Sequence, residues 1–409
     1  MKFERLGEKI TQVRGISYKP NDMSSIPMSD YVPILKANNI QEEGIDTRDL
    51  IYIHKSKVRP EQFIKKGDLL LAASSGSKEI VGKNIYFESD FDGSFGAFCK
   101  LVRPKKNINP RYLATFFKSV PYKRHIRKLL SGALINNLKN EYIDSLLIPD
   151  ISNSDQIHIA TLLSKAENLI SQRKESIRLL DSFLKSVFLE MFGNPATNPK
   201  NWEEKKFGDI FETIRYGTGS PPEYKNEGIP FIRATNIKKG RITRKDLVFI
   251  SEEEAKKIEK CQIKTGDLII VRSGANTGDA TTIPIEFNGA YAAYDLIVTL
   301  NYSSAIFFNE LINSNYGRTK IKPLTRRSGQ PHLNSDQVKS LKFYYPPLAL
   351  QTQFAQIVEK TEVIKTQYQQ SLQELENLYG SLSQRAFRGE LSLKDEGVLM
   401  AAEPEGKYF

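Results

Sequence analysis

Across 409 residues the chain holds two cysteines, one tryptophan, four histidines and five methionines, and the scarcities exclude several classes of function. Cys99 and Cys261 cannot build a disulfide framework or a thiolate zinc site, so both are expected to be buried small hydrophobes. His54, His125, His158 and His332 do not cluster at metal-ligand spacing, and no metal or other cofactor is expected. Apolar runs of membrane-spanning length are missing, and Met1-Lys2-Phe3-Glu4-Arg5 is too charged for the start of a secretory signal, so a cytoplasmic protein is expected.

Catalytic signatures are missing as well. Gly274-Ala275-Asn276-Thr277-Gly278-Asp279 lacks the Gly-Lys-Ser/Thr ending that a phosphate loop needs to hold metal and phosphate. No Gly-x-Gly-x-x-Gly follows a strand-like run. Asn194-Pro195-Ala196-Thr197 is not the Asn-Pro-Pro-aromatic signature of adenine methyltransferases, and Glu223-Tyr224-Lys225 has no Pro-Asp at a nuclease-like distance upstream. No catalytic centre is expected.

What is present is a duplication. Residues 31–40, Tyr-Val-Pro-Ile-Leu-Lys-Ala-Asn-Asn-Ile, are answered by residues 228–237, Gly-Ile-Pro-Phe-Ile-Arg-Ala-Thr-Asn-Ile. With an offset near 197, Gly67-Asp68 matches Gly266-Asp267, Ser75-Gly76 matches Ser273-Gly274, Pro149 matches Pro346, and Gln156 matches Gln353. A period this long is a whole domain plus its connector, written twice.

The net charge of +11 points to a polyanion, and its placement supports that reading. Residues 101–139 hold ten basic side chains and no acidic one, among them Arg103, Lys105, Arg124, Arg127 and Lys128. The stretch 318–342 repeats the bias with Arg318, Lys320, Lys322, Arg326, Arg327, Lys339 and Lys342 against a single Asp336. Such stretches are often plain solvated helix faces. Here they recur in both copies, interleaved with Phe116, Phe117, Tyr122 and Tyr316, which suits a surface that tracks phosphates.

After Pro149 the pattern becomes helical. Ile159, Leu163, Ala166, Ile170, Ile177, Leu180, Leu184, Val187 and Met191 alternate by four and three with one polar interruption at Arg173, a heptad seam. A second seam is predicted 198 residues on, through Ile357, Thr361, Ile364, Tyr368, Leu375, Leu378 and Leu382, interrupted at Ser371. Matching registers predict that the two helices pack on each other, each roughly 50 Å long at 1.5 Å per residue. The remainder of each copy reads as an α/β globule. Strands are expected at Leu69–Ala72, Leu268–Val271 and Leu296–Val298, and helices at 110–119, 121–130 and 303–314. Arg5-Leu6-Gly7 and Lys206-Phe207-Gly208 open the copies, each followed at the same distance by an arginine, Arg14 and Arg215.

With these features in place the chain resembles the DNA-specificity (S, HsdS-type) subunit of a type I restriction–modification system, over nearly its whole length. The motifs are Gly132-Ala133-Leu134-Ile135-Asn136-Asn137-Leu138 leading to Ile148-Pro149 and Gln156, and Ser328-Gly329-Gln330-Pro331-His332-Leu333-Asn334 leading to Pro346-Pro347, Gln351 and Gln353. The helix end Ser381 to Leu391 adds to it, while Pro149-Asp150 departs from the paired prolines. The resemblance implies an α/β (α+β) fold with two target-recognition domains, 1–152 and 194–349. Two helices, 153–193 and 350–391, would form an antiparallel coiled-coil spacer, with a tail at 392–409. It implies sequence-specific binding to double-stranded DNA at a bipartite target with an unread middle. It also implies methyltransferase subunits, two per chain, and restriction or motor subunits as partners, with no catalysis by this chain. A coiled-coil adaptor without DNA readout, or a stand-alone DNA-modifying enzyme, would instead show no sequence preference beside its partners, or a catalytic constellation.

Candidates for DNA contact are polar, basic and aromatic residues of the two globules, and base reading is favoured where polar residues differ within a shared loop frame, as at 74–78 against 272–277 and 36–38 against 233–235, since Arg and Lys can bridge guanine and Asn or Gln can bridge adenine. In the first globule these are Arg14, Tyr18, Lys36, Ser75, Lys78 and Lys105, with Arg124, Arg127 and Lys128 as phosphate contacts. In the second they are Arg215, Arg233, Arg272, Asn276, Tyr294, Arg326, Arg327 and Gln330. The aromatic segments 93–98 and 289–294 are expected to be core strand, with only Tyr294, the counterpart of Phe98, held as a candidate.

Overall fold

The computed structural model describes residues 2–41, 44–77, 79–131, 137–238, 240–325 and 331–391. Lys78, Arg326, Arg327 and Gln330 lie outside the described residues, as do 132–136 and 328–329 of the domain-end motifs. The fold is α+β, a duplicated globule with long helices, and the chain forms two compact units. One comprises residues up to 175 together with those from 370 onward, the other residues 176–369.

In the first unit an antiparallel sheet runs in the order Ile10–Arg14, Cys99–Pro104, Leu69–Ala72, Asn84–Tyr86. Leu69–Ala72 is buried throughout, which explains its unbroken apolar run. A second sheet orders Ser94–Phe95, Tyr31–Leu35, Ile51–His54 and Met23–Ser24, the first pair parallel. Helices Pro110–Lys118 and Val120–Ser131 cover the first sheet through Tyr112, Phe116, Phe117, Tyr122 and Ile126. The second unit repeats the plan. Its sheets are Thr213–Tyr216, Leu296–Thr299, Leu268–Ile270, Ala280–Thr282, and Val248–Ile250, Ile229–Ile232, Tyr291–Ala292. Helix Tyr302–Asn313 supplies Phe307, Phe308 and Leu311 to the core.

The repeated residues have mechanical reasons. Gly67 and Gly266 adopt φ of 93° and 89°, where a side chain would be strained. In each turn the next aspartate accepts a backbone N–H, Asp68 from Lys65 and Asp267 from Lys264. The buried Asn39 accepts from the N–H of Lys36 and donates to the carbonyl of Asp46; Asn236 does the same with Arg233 and Thr243. The shared Asn-Ile pair is thus a loop brace.

Helix Asn153–Phe192 spans 40 residues and helix Leu348–Arg388 spans 41. Each stops at a glycine in the left-handed region, Gly193 and Gly389. Within the first unit Glu167 meets Tyr379 and Lys174 meets Glu376; within the second Asp181 meets Lys365 and Phe188 meets Phe354. In both places rising numbers on one helix face falling numbers on the other, so the pairing is antiparallel.

The phase of the second seam differs from expectation. Buried and half-buried positions are Phe354, Val358, Thr361, Lys365, Tyr368, Leu372, Leu375, Tyr379, Leu382 and Ala386, each 195 residues after a seam position of the first helix (354 − 159 = 195). Thr361, Tyr368, Leu375 and Leu382 are common to both readings, but every alternate position falls one residue later than predicted. Lys365 takes the place expected for Ile364, which is 39% exposed. The same shift makes Gln351, not Gln353, the partner of Gln156: each donates to the carbonyl five residues earlier, Ile151 and Pro346.

Candidate nucleic-acid interface

Of the described candidates, Tyr18, Ser75, Arg272, Asn276 and Tyr294 lie on loops that leave one end of each main sheet, where two backbones cross closely, whereas Lys105 follows the opposite end of its strand and Arg124, Arg127 and Lys128 lie on helix Val120–Ser131. A Cβ on Gly15 would lie 2.0 Å from the carbonyl oxygen of Gly96, and one on Gly217 would lie 1.8 Å from that of Ala293. These crossings fix how the copies superpose. Arg14 pairs with Lys100 in the ladder, whereas the residue before Gly217 is Tyr216, paired with Leu296. Arg14 and Arg215 are therefore not equivalent. One extra residue precedes the strand in the second copy, and a one-residue shift turns a side chain to the other face of a sheet.

Arg215 points into the protein, donating to Asp267, the carbonyl of Gln262 and the hydroxyl of Thr299. In the first copy Arg103 serves Asp68 with two parallel hydrogen bonds of 2.8 and 2.7 Å. Both guanidiniums hold the Gly-Asp turn. Arg14, by contrast, is exposed. Several other candidates are also committed internally. Lys36 Nζ pairs with Asp49, and Arg233 donates to the carbonyl of Asp246 across the same loop of the other copy. Asn276 donates to the carbonyls of Ala234 and Ile237, so its amide nitrogen braces a loop. Lys105 Nζ lies 3.3 and 3.2 Å from the carbonyls of Gly7 and Glu8. Ser75 Oγ accepts from the N–H of Ser77, and Tyr18 is half-buried beside Ile16 and Val32, with burial raising its phenol pKa.

The second copy carries a denser constellation. The Arg272 guanidinium carbon sits 3.8 Å from the centre of the Tyr294 ring and 4.8 Å from that of Tyr216. The two rings are 5.8 Å apart and tilted by 36°. Arg272 Nε and Nη2 lie 3.0 and 2.7 Å from His332 Nε2. The buried Asp295 carboxylate accepts the N–H of Arg272, and burial raises its pKa to about 6. Tyr294 is nevertheless 46% exposed.

In the first copy the same frame carries different chemistry. Leu138 donates to the carbonyl of Ala73 as Leu333 does to that of Arg272, so Ala73 stands where Arg272 does. Phe98 is 68% exposed, against the expectation of core strand; Phe95 and Tyr291 of the same segments are buried. Phe98, Tyr216 and His332 were not among the sequence candidates. The close-approach glycine marks Tyr216, which precedes Gly217; Phe98 takes the place of Tyr294 counted back from the strand, in a loop one residue longer, and His332 arrives through its bridge to Ser273.

The candidates for phosphate contact divide unequally. On helix Val120–Ser131, Tyr122 and Ile126 face the core while Lys123, Arg124, Arg127 and Lys128 are exposed. In the second copy Arg318 is bound to Asp279 and Lys320 to Glu204, 3.0 Å away, so part of the matching basic bias is structural. Lys322 and Lys342 remain exposed there. Among the described residues no group of three or more His, Cys, Asp or Glu could hold a metal ion, and no helix is long and apolar enough to cross a membrane.

Comparison with known proteins places these features in a group. The family described as type I restriction modification DNA specificity domain matches residues 199–377. The EcoKI specificity subunit of Escherichia coli K12 is 28% identical, covering 93% of this chain and 87% of that protein. The StySPI specificity subunit of Salmonella potsdam is 30% identical with the same coverage. Among solved structures, the S subunit of a type I restriction–modification system from M. genitalium aligns with a TM-score of 0.61 at 15% identity, covering 94% of this chain and 96% of that one. A chain from a study of complex assembly and conformational transition of the type I R-M system aligns at 0.53 with 17% identity, covering 95% and 98%.

Proposed function

The chain belongs to the family of type I restriction enzyme DNA-specificity subunits, and from that premise we propose that it reads a bipartite double-stranded target, one half with each globule. The observation that carries the reading is one loop frame with two side-chain sets: Ala73 and Phe98 in the first copy, Arg272 and Tyr294 in the second. Duplicated scaffolds keep the docking geometry, while differing loop side chains let each half select different bases. The exposed cations of helix Val120–Ser131 act on phosphates and carry no sequence information. The helix pair serves as the unread spacer and as the docking surface for methyltransferase and restriction subunits. This chain contributes aim, and its partners contribute methylation and cleavage.

The test is methylation mapping of DNA exposed to the chain assembled with its methyltransferase subunits. The expected motif has two specified segments separated by unspecified bases. A single uninterrupted motif, or methylation without sequence preference, would refute the proposal.

A further inference from the structure

We propose that Tyr294 is the specificity-determining contact of the second globule, and that Arg272 and His332 are positioning residues acting through it. The inference rests on the target-reading function proposed above.

Arg272 is the residue that side-chain chemistry alone would choose, because a guanidinium can bridge guanine O6 and N7. Its geometry argues otherwise. Nε and Nη2 are directed to His332, and Nη1 is buried with no hydrogen-bond partner. A base edge meets Tyr294 first, since that ring covers the guanidinium at 3.8 Å and is half-exposed. Among the described residues the Tyr294 hydroxyl has no hydrogen-bond partner.

A cation against one face of a phenol withdraws charge from the ring and strengthens its O–H as a donor. The groups it fits are major-groove acceptors: guanine O6 or N7, adenine N7, thymine O4. The ring is held from its protein side. Tyr216 lies beside it against the same guanidinium, its ring 5.8 Å from that of Tyr294, and its hydroxyl accepts the N–H of Ser335. The Gly217 backbone abuts Ala293, next to Tyr294, and Asp295 holds the N–H of Arg272. A tyrosine with few rotors, already fixed, loses little entropy on binding. In the first copy the corresponding Phe98 has no hydroxyl, and Ala73 places no cation beneath it. The two halves therefore differ in kind, a donor on one side and an apolar ring on the other.

The experiment measures binding competition across every single-base variant of the mapped target, with the full chain assembled with its methyltransferase subunits. Tyr294→Phe keeps the ring on Arg272 and removes the donor. It is expected to lower discrimination at one base pair of one half by about tenfold, leaving the other half unchanged. Arg272→Ala and His332→Leu should relax the same pair, and His332→Gln, which keeps an acceptor for the guanidinium, should restore it. Adding Arg272→Ala to Tyr294→Phe should relax no second pair. The proposal is overturned if Tyr294→Phe leaves discrimination intact or weakens all sequences alike, or if Arg272→Ala relaxes a different pair. Wild-type protein with no two-part preference would sink the parent reading; a two-part preference untouched by Tyr294→Phe would sink this inference alone.

Discussion

Lys365 Nζ reaches the Asp181 carboxylate across the helix seam, with only 5% of the lysine exposed and Asp181 shared with Arg241. Arg241 also binds Glu362, so a hairpin of the second globule is tied to both long helices. A charge at a seam position restricts which registers are tolerable, because a slipped helix would bury it unpaired. The two partners should respond differently to mutation. Asp181→Ala strands a buried ammonium and should destabilise the second unit by roughly 2–3 kcal/mol, below the usual cost of breaking a fully buried pair because Asp181 is half-exposed. Lys365→Met leaves Asp181 with Arg241 and should change stability by under about 1 kcal/mol. Thermal melts of the full chain decide it; equal losses would show that the ion pair itself stabilises the seam, since methionine keeps the packing of the lysine stem and removes only its charge.

The duplication and the helices were legible because they rest on patterns that survive without coordinates: Gly-Asp turns, the Asn-Ile brace and an apolar period. The second seam's phase was not, because a lysine occupies a core position and the neighbouring Ile364 offers itself to any reading by hydrophobicity. Of the candidates, Arg272 and Tyr294 are the pair that folding brings into direct contact. The candidate site was illegible at Arg215, Lys36, Arg233 and Asn276, where the same donors are spent on carbonyls and carboxylates brought close only by folding. Arg14 and Arg215 look alike by counting from a glycine, but a single inserted residue puts them on opposite sheet faces.

The exposed basic face of helix Val120–Ser131 leads to a salt-dependence prediction. Reversing Arg124 and Arg127 to glutamate should weaken binding to every DNA sequence alike. It should also flatten the dependence of log affinity on log salt by about 0.9 for each phosphate that is no longer neutralised. Isotherms at several salt concentrations, on target and unrelated duplexes, are the measurement. An unchanged slope would remove this helix from the interface. Arg318→Ala in the second copy should instead lower thermal stability, because it leaves the buried Asp279 without its guanidinium.

The first unit's core is closed by the end of the second long helix. Phe387 packs on Tyr112 and Phe116 with ring centres 5.5 and 5.3 Å apart, and Leu382, Ala386 and Leu391 join the same cluster. A fragment of residues 1–193 lacks all four. It carries Val187, Met191 and Phe192 at the seam-equivalent places, 195 residues before Leu382, Ala386 and Phe387 (382 − 187 = 195). The fragment should therefore dimerise, each copy closing the core of the other, and should prefer an inverted repeat of one half-site. Light scattering and binding to palindromic duplexes test this. A folded monomer, or a dimer indifferent to the repeat, would contradict it.

Asp295 supplies a pH test of the loop that carries Tyr294. Its carboxyl ionises near 3.8 when unperturbed and near 6 in the fold, because burial disfavours the charged form more than the N–H of Arg272 and its guanidinium favour it. Between those values the folded chain holds a proton that the unfolded chain has released, so stability falls as pH rises from about 4 to about 6 and stays reduced above. At 1.36 kcal/mol per pKa unit the penalty is at most about 3 kcal/mol. Asp295→Asn keeps an oxygen for the N–H of Arg272 and removes the charge. Its stability should match wild type below pH 4 and exceed it increasingly up to pH 6, with a constant gap beyond. Denaturant melts from pH 3.5 to 8 measure the gap; one that shrinks with rising pH would mean that Asp295 is stabilised as a carboxylate and that its pairing with Arg272 outweighs burial.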